Sequence, residues 1–132
     1  MRGLLYKHAG ISLSPVKQDM VYSRLARRLR ARGDRTFSDY LDRAEREPDE
    51  WETFINSLTT NLTSFFREAH HFDILAERLK KHTSRNPLRI WCSAASTGEE
   101  PYSLAITACE AFNTMTPPVQ IVATDIDTNV LA

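Results

Sequence analysis

The sequence predicts an all-helical N-terminal part followed by the start of an α/β, doubly wound parallel sheet. Three observations carry this. Up to about residue 84, apolar residues recur at helical spacing between capping and stop signals. From Leu88 the pattern becomes a short apolar run, a loop of small residues, a helix, and a second apolar run ending at Asp125. Asn86-Pro87 breaks the chain between the two regimes. The expected domains are 1–84 and 85–132.

The elements follow in order. A helix is expected over Met1 to Ala9. Residues 14–32 read as a single helix, with Ser14 as N-cap, Pro15 as first helical residue and Gly33 as stop. Val21, Leu25 and Leu29 form its buried stripe with Tyr22 beside them; Arg24, Arg27, Arg28 and Arg30 occupy the opposite face. Thr36 to Asp39 matches a capping box with Asp in place of Glu. It opens a short helix to about Arg46 that buries Phe37, Tyr40, Leu41 and Ala44. Pro48 starts another, with Trp51, Phe54, Ile55 and Leu58 inward. A polar, irregular segment over 59–67 precedes a helix over 68–82, whose stripe is Phe72, Leu75 and Leu79. Then come a strand from Leu88 to Ala94, a loop to Gly98, a helix from Glu99 to Phe112, a Pro117-Pro118 turn and a strand from Val119 to Thr124. Asp127 or Thr128 is placed to cap a further helix. A parallel sheet is buried on both faces and needs more strands than these. The sequence therefore reads as a fragment of a longer protein, or as a chain that completes its sheet with a partner.

At 132 residues, 42% hydrophobic and 26% charged, the composition is that of a soluble globular chain of about one domain. Zero formal net charge supplies no global field toward nucleic acid or a membrane. No apolar run approaches the roughly 20 residues of a membrane span. No signal-peptide pattern opens the chain, so a cytoplasmic location is expected. Cys92 and Cys109 lack metal-ligand spacing and read as small buried hydrophobes, so no metal is expected.

Ligands of open α/β sheets bind beyond the carboxyl ends of the strands. Two features fall there. The loop Ala94-Ala95-Ser96-Thr97-Gly98 lets a ligand approach the backbone, but it has a single glycine, not the glycine triplet of pyrophosphate-binding turns. Glu99 and Glu100 would repel a phosphate and favour a cation or hydroxyl donors. Asp125, at the end of the second strand, is placed to accept both ribose hydroxyls. The competing readings are a turn residue for Asp125 and a dipole-favoured carboxylate for Glu100. A positively charged, phosphate-free, ribose-bearing ligand fits, and S-adenosylmethionine, a sulfonium cation with an amino-acid tail, has that description. Asn61, Thr63 and Arg67 offer an amide, a hydroxyl and a guanidinium to such a tail; the alternative is a helix-capping set.

Three segments, TTNLTSFFREAHHF, ASTGEEPYS and ATDIDTNVL, give the sequence a resemblance to the CheR family of methyltransferases. The resemblance covers essentially the whole chain. It implies a Rossmann-like, class I methyltransferase sheet and S-adenosylmethionine as cofactor, with S-adenosylhomocysteine as product. The implied substrates are glutamate side chains on the cytoplasmic helices of methyl-accepting chemoreceptors, in bacterial chemotaxis signalling. By resemblance, Asn61, Thr63 and Arg67 contact the cofactor, as do Glu100 and Asp125, with Glu99 the alternative to Glu100. Arg24, Arg27, Arg28 and Arg30 match an arginine-rich helix that faces the receptor; the competing reading is a solvated face. A glutamate carboxylate, of reference pKa about 4.3, is already ionised at neutral pH and can attack a methyl group without a general base. No catalytic residue is therefore assigned, and His70 and His71 read as structural or capping. The family continues with further strands and an inserted β-subdomain. Activity is thus expected of the parent protein, the alternative being a catalytically incompetent module that binds cofactor or receptor. A dinucleotide-dependent oxidoreductase is the other rival, opposed by the missing glycines and the glutamate pair.

Overall fold

The structure, a computed structural model, describes residues 2–83 and 86–131. In chain order the helices are α1 (Arg2–Ala9), α2 (Gln18–Arg32), α3 (Phe37–Ala44), α4 (Pro48–Leu58), α5 (His70–Lys80) and α6 (Glu99–Phe112). The strands are β1 (Leu88–Cys92) and β2 (Val119–Ala123), and short 3-10 turns span Pro15–Lys17 and Thr128–Val130. The chain packs as two units, Met1–Thr60 with Ile126–Asn129, and Asn61–Asp125 with Val130–Ala132. The expected domain boundary falls on residues 84 and 85, which lie outside the described residues. Packing groups α5 with α6 in the second unit.

In the helical unit the apolar stripes meet in one core of Leu5, Val21, Leu25, Tyr40, Ala44, Phe54, Ile55 and Leu58. The expected helix over 14–32 opens as a 3-10 turn at Pro15–Lys17, and Ser14 makes no side-chain cap bond. Gly33 ends α2 with φ +73°, the left-handed conformation that favours glycine. Tyr22, expected beside the buried stripe, is 63% exposed. One residue beyond Val21 lies about 100° further around the helix, so its ring reaches only the rim, 5.2 Å from that of Phe37. Thr36 caps α3, its Oγ1 accepting from the Asp39 N–H at 3.1 Å.

One polar cluster lies inside this unit. Glu50 is 4% exposed. Arg28 donates from Nε and Nη2 to both of its carboxylate oxygens, and the Tyr40 hydroxyl donates to Oε1 at 2.8 Å. The Arg28 hydrogen bonds hold the Glu50 carboxyl below the usual range, against the opposing effect of burial. Burial, and then the hydrogen bond to Glu50, push the Tyr40 phenol well above its usual range.

Residues 126–129 pack on α4 within the same unit. Asp127 Oδ2 accepts from Thr59 Oγ1 at 2.6 Å, and Thr128 Oγ1 accepts from Asn56 Nδ2 at 2.8 Å while donating to Glu52 Oε1 at 2.6 Å. Asp127 Oδ1 accepts from the Asn129 N–H at 3.0 Å, so Asp127 is the residue that caps the Thr128–Val130 turn.

In the second unit β1 and β2 pair in parallel, in register from Leu88 opposite Val119 to Cys92 opposite Ala123. Both carboxyl ends therefore reach the same edge. β1 stops at Cys92, before the expected Ala94, because the chain turns there into the small-residue loop. α6 has the expected bounds. α5 starts two residues late, since Glu68 takes φ +57°. Its stripe holds, with Phe72 and Leu79 buried. His70 and His71 open the helix but neither caps it; both are exposed, their rings 4.0 Å apart. Among the described residues no helix is long and apolar enough to cross a membrane, and no group of His, Cys, Asp and Glu could hold a metal.

Candidate cofactor site

The site forms at the carboxyl edge of the β1–β2 pair. Beyond the last paired residues the chain is still stitched across: the Thr124 N–H donates to the Cys92 carbonyl and the Ala95 N–H to the Thr124 carbonyl, each at 2.9 Å. This holds the loop after β1 against the end of β2. Ser96 sits at its centre, 8% exposed, with φ +49°. A non-glycine residue in the left-handed region is uncommon, and such residues cluster at functional sites. Its conformation turns the Ser96 N–H onto Asp125 Oδ2 at 2.7 Å, while Ser96 Oγ donates to the Asn61 carbonyl at 2.8 Å. One residue thus joins the segment that starts at Asn61 to the carboxylate two residues beyond β2.

Glu100 reaches the same edge from the first turn of α6. Its Oε1 lies 3.4 Å from the buried Cys92 thiol, which donates to it. Burial raises the Cys92 pKa, and the Glu100 and Asp125 charges raise it further. Glu99 accepts from Thr97 Oγ1 at 2.6 Å. Gly98 precedes the helix with φ +104°, a conformation that strains any side chain placed there.

The segment 61–67 is irregular and is held on α6 by its backbone. The Phe66 N–H donates to Ser103 Oγ at 3.0 Å, and the fully buried Ser103 hydroxyl donates to the Glu99 carbonyl at 2.6 Å. Phe66 also takes φ +53°, and its ring packs edge-on to Phe72 at 5.2 Å. Arg67 is exposed, with Nη1 donating to the Leu62 carbonyl at 2.9 Å. Thr63 is half-buried.

Of the five residues expected at the cofactor, Asn61 and Asp125 are joined through Ser96, and Glu100 reaches Cys92 at the end of β1. Thr63 and Arg67 share the segment that Asn61 begins. Sequence reasoning missed Ser96, whose only signal was its place in a loop of small residues; Cys92 is the small buried residue expected, 3% exposed, and also donates to Glu100.

The arginines of α2 are not one open face. Arg24 donates to the Thr59 carbonyl at 2.6 Å and to Thr60 Oγ1, and Arg28 is committed to Glu50. Arg27 and Arg30 are exposed. A cavity of about 350 Å³ is lined by Arg24, Arg27, Arg28, Ala31 and Ser57.

Residues 1–59 match the family described as CheR methyltransferase, all-alpha domain, and residues 61–132 match CheR methyltransferase, SAM binding domain. The chain belongs to the CheR methyltransferase family. The helical unit is thus the start of a CheR all-alpha domain, and β1-α6-β2 opens the Rossmann-like CheR domain whose cofactor is S-adenosylmethionine. The chain is 55% identical to chemotaxis protein methyltransferase 2 of Pseudomonas aeruginosa, over 99% of its own length and 47% of that protein. It is 53% identical to the chemotaxis protein methyltransferase of Klebsiella aerogenes (97% and 44%) and 51% identical to that of Escherichia coli (97% and 45%). The chain therefore spans a little under half the length of these relatives.

The donor set suits the CheR cofactor. The acidic residues Glu99, Glu100 and Asp125 oppose a phosphate and suit a cation and ribose hydroxyls. Asn61, Thr63 and Arg67 add the amide, hydroxyl and guanidinium that an amino-acid tail requires.

Proposed function

We propose that the protein containing this chain is a protein-glutamate O-methyltransferase of bacterial chemotaxis, acting in the cytoplasm on the cytoplasmic helices of chemoreceptors. The observation that supports it most is the junction at Ser96, which ties Asn61 to Asp125 at the strand edge where Glu100 also arrives. S-adenosylmethionine, when bound, supplies an electrophilic methyl group. The residues of the chain do the rest by binding and alignment. Asp125 takes the ribose hydroxyls, Glu100 favours the cationic end, and Arg67 with Thr63 and Asn61 grips the tail. Glu100 is preferred over Glu99 because its carboxylate reaches Cys92 at the carboxyl end of β1, whereas that of Glu99 turns to Thr97. The substrate glutamate is ionised at neutral pH, so proximity and orientation supply the catalysis.

Titration calorimetry with S-adenosylhomocysteine and with NAD tests the cofactor assignment. The expected result is saturable binding of the first and none of the second. Binding of NAD alone would turn the reading toward an oxidoreductase.

Receptor recognition falls to the exposed basic residues of α2, because a glutamate-rich helix is steered and held by such a face. Arg27 and Arg30 are open to a partner, whereas Arg24 and Arg28 also hold α4 in place. Replacing Arg27 and Arg30 together by glutamate is expected to cut radiolabelled methyl transfer to receptor at least tenfold, as charge reversals at an interface do. Affinity for S-adenosylhomocysteine should stay the same; a parallel loss of both would remove the recognition role. Running the transfer assay on this chain and on the complete reading frame separates a competent enzyme from a module that only binds.

A further inference from the structure

The cofactor reading assigns partners to the ribose and to the amino-acid tail, but does not say what sets the spacing between them. Asp125 lies two residues beyond β2 and follows Thr124, which is bonded across to Cys92, whereas residues 61–67 have no strand or helix of their own to fix their position. Hydrogen bonds to Ser103 and Ser96 tie that segment to the rest of its unit. Phe66 is bound through its N–H to Ser103, and Asn61 through its carbonyl to Ser96 Oγ at 2.8 Å. Ser96 is also the residue whose N–H fixes Asp125 Oδ2 at 2.7 Å.

The two arms of Ser96 are chemically separable. The backbone arm survives any substitution other than proline, while the hydroxyl arm is lost with the side chain. Ser96 holds φ +49° and is 8% exposed, and its hydroxyl is given to the Asn61 carbonyl. The residue on either side, Ala95 or Thr97, would not place both a donor N–H and a donor hydroxyl here, since the Ala95 N–H is already given to Thr124 and the Thr97 hydroxyl to Glu99.

Resting on the cofactor reading above, we infer that Ser96 is a positioning residue that sets the tail-binding segment at a fixed distance from the ribose-binding carboxylate. Its hydroxyl acts on ligands that carry a tail, and its N–H acts on every ligand that carries the ribose. A ligand with both parts gains from both arms; adenosine, which has no tail, gains from the N–H alone.

The test measures binding of S-adenosylhomocysteine and of adenosine to the complete protein that contains this chain and to its Ser96→Ala and Ser96→Gly variants. Both variants are expected to lose about tenfold in affinity for S-adenosylhomocysteine, the worth of one hydrogen bond, and to keep their affinity for adenosine within about twofold. Alanine retains the left-handed strain and glycine relieves it, so equal losses in the two assign the effect to the hydroxyl. Amide hydrogen exchange without ligand should become faster at residues 61–65 in both variants. Equal weakening of both ligands, or unchanged S-adenosylhomocysteine binding with unchanged exchange, overturns the positioning role while leaving the cofactor assignment standing. Failure of the unsubstituted complete protein to bind S-adenosylhomocysteine overturns both.

Discussion

Replacing Glu50 with leucine is expected to destabilise the helical unit by about 2–4 kcal/mol, read from urea denaturation followed by far-ultraviolet circular dichroism. The substitution leaves the Tyr40 hydroxyl, on a fully buried side chain, without its acceptor, and strips Arg28 of a two-pronged partner. Arg28 retains some access to water, which moderates the loss. Glutamine keeps the shape and an acceptor for Tyr40, so Glu50→Gln should cost about half as much. Stability should also follow pH from both ends. The folded state lowers the Glu50 pKa, so its contribution is complete above the ordinary glutamate value of about 4.3 and is lost as pH falls through the lower folded value. The folded state raises the Tyr40 pKa, so that contribution is complete below about 10 and is lost as pH climbs toward the raised value. A Glu50→Leu variant should therefore show a flatter acid limb than the unsubstituted chain. An unchanged urea midpoint would show that the cluster contributes nothing.

The second large effect is expected at Asp125. Alanine there removes the proposed acceptor of the ribose hydroxyls and also frees the Ser96 N–H, loosening the loop after β1. Hydrogen bonds to a charged group are each worth about 1.5–3 kcal/mol, so affinity for S-adenosylhomocysteine should fall by about 30- to 100-fold or more. Adenosine should weaken by a similar factor, because the loss is on the ribose side. Loss of less than about threefold for both ligands would place the ribose elsewhere.

The apolar stripes of α2, α4 and α5 were legible because helical spacing is local: Val21 with Leu25, Phe54 with Ile55 and Leu58, and Phe72 with Leu79 are buried as expected. Thr36 and Gly33 were legible for the same reason, since caps act within a few residues, while the choice between Asp127 and Thr128 was left to the structure, in which Asp127 accepts from the Asn129 N–H. Tyr22 was misplaced because an aromatic ring next to a stripe is apolar enough to be counted with it, although the helix turns it outward. The Arg28–Glu50–Tyr40 cluster was hidden because it joins three helices, and no local spacing encodes such a meeting. In the second unit, the strand–loop–helix–strand order and Asp125 could be read from the changed pattern at Leu88. Ser96 could not be singled out, because its role comes from a left-handed backbone and two partners remote in sequence. The arginines of α2 were read as one class, and only tertiary contacts divide Arg24 and Arg28 from Arg27 and Arg30.

The short return of residues 126–129 to α4 bears on any attempt to cut the chain into pieces. The all-alpha match ends at residue 59, which invites expression of that stretch by itself. Such an excised piece would lack Asp127 and Thr128, leaving Glu52, Asn56 and Thr59 to find water where they now have side-chain partners. The helical unit is discontinuous along the sequence, and its natural minimum includes a few residues contributed from beyond β2.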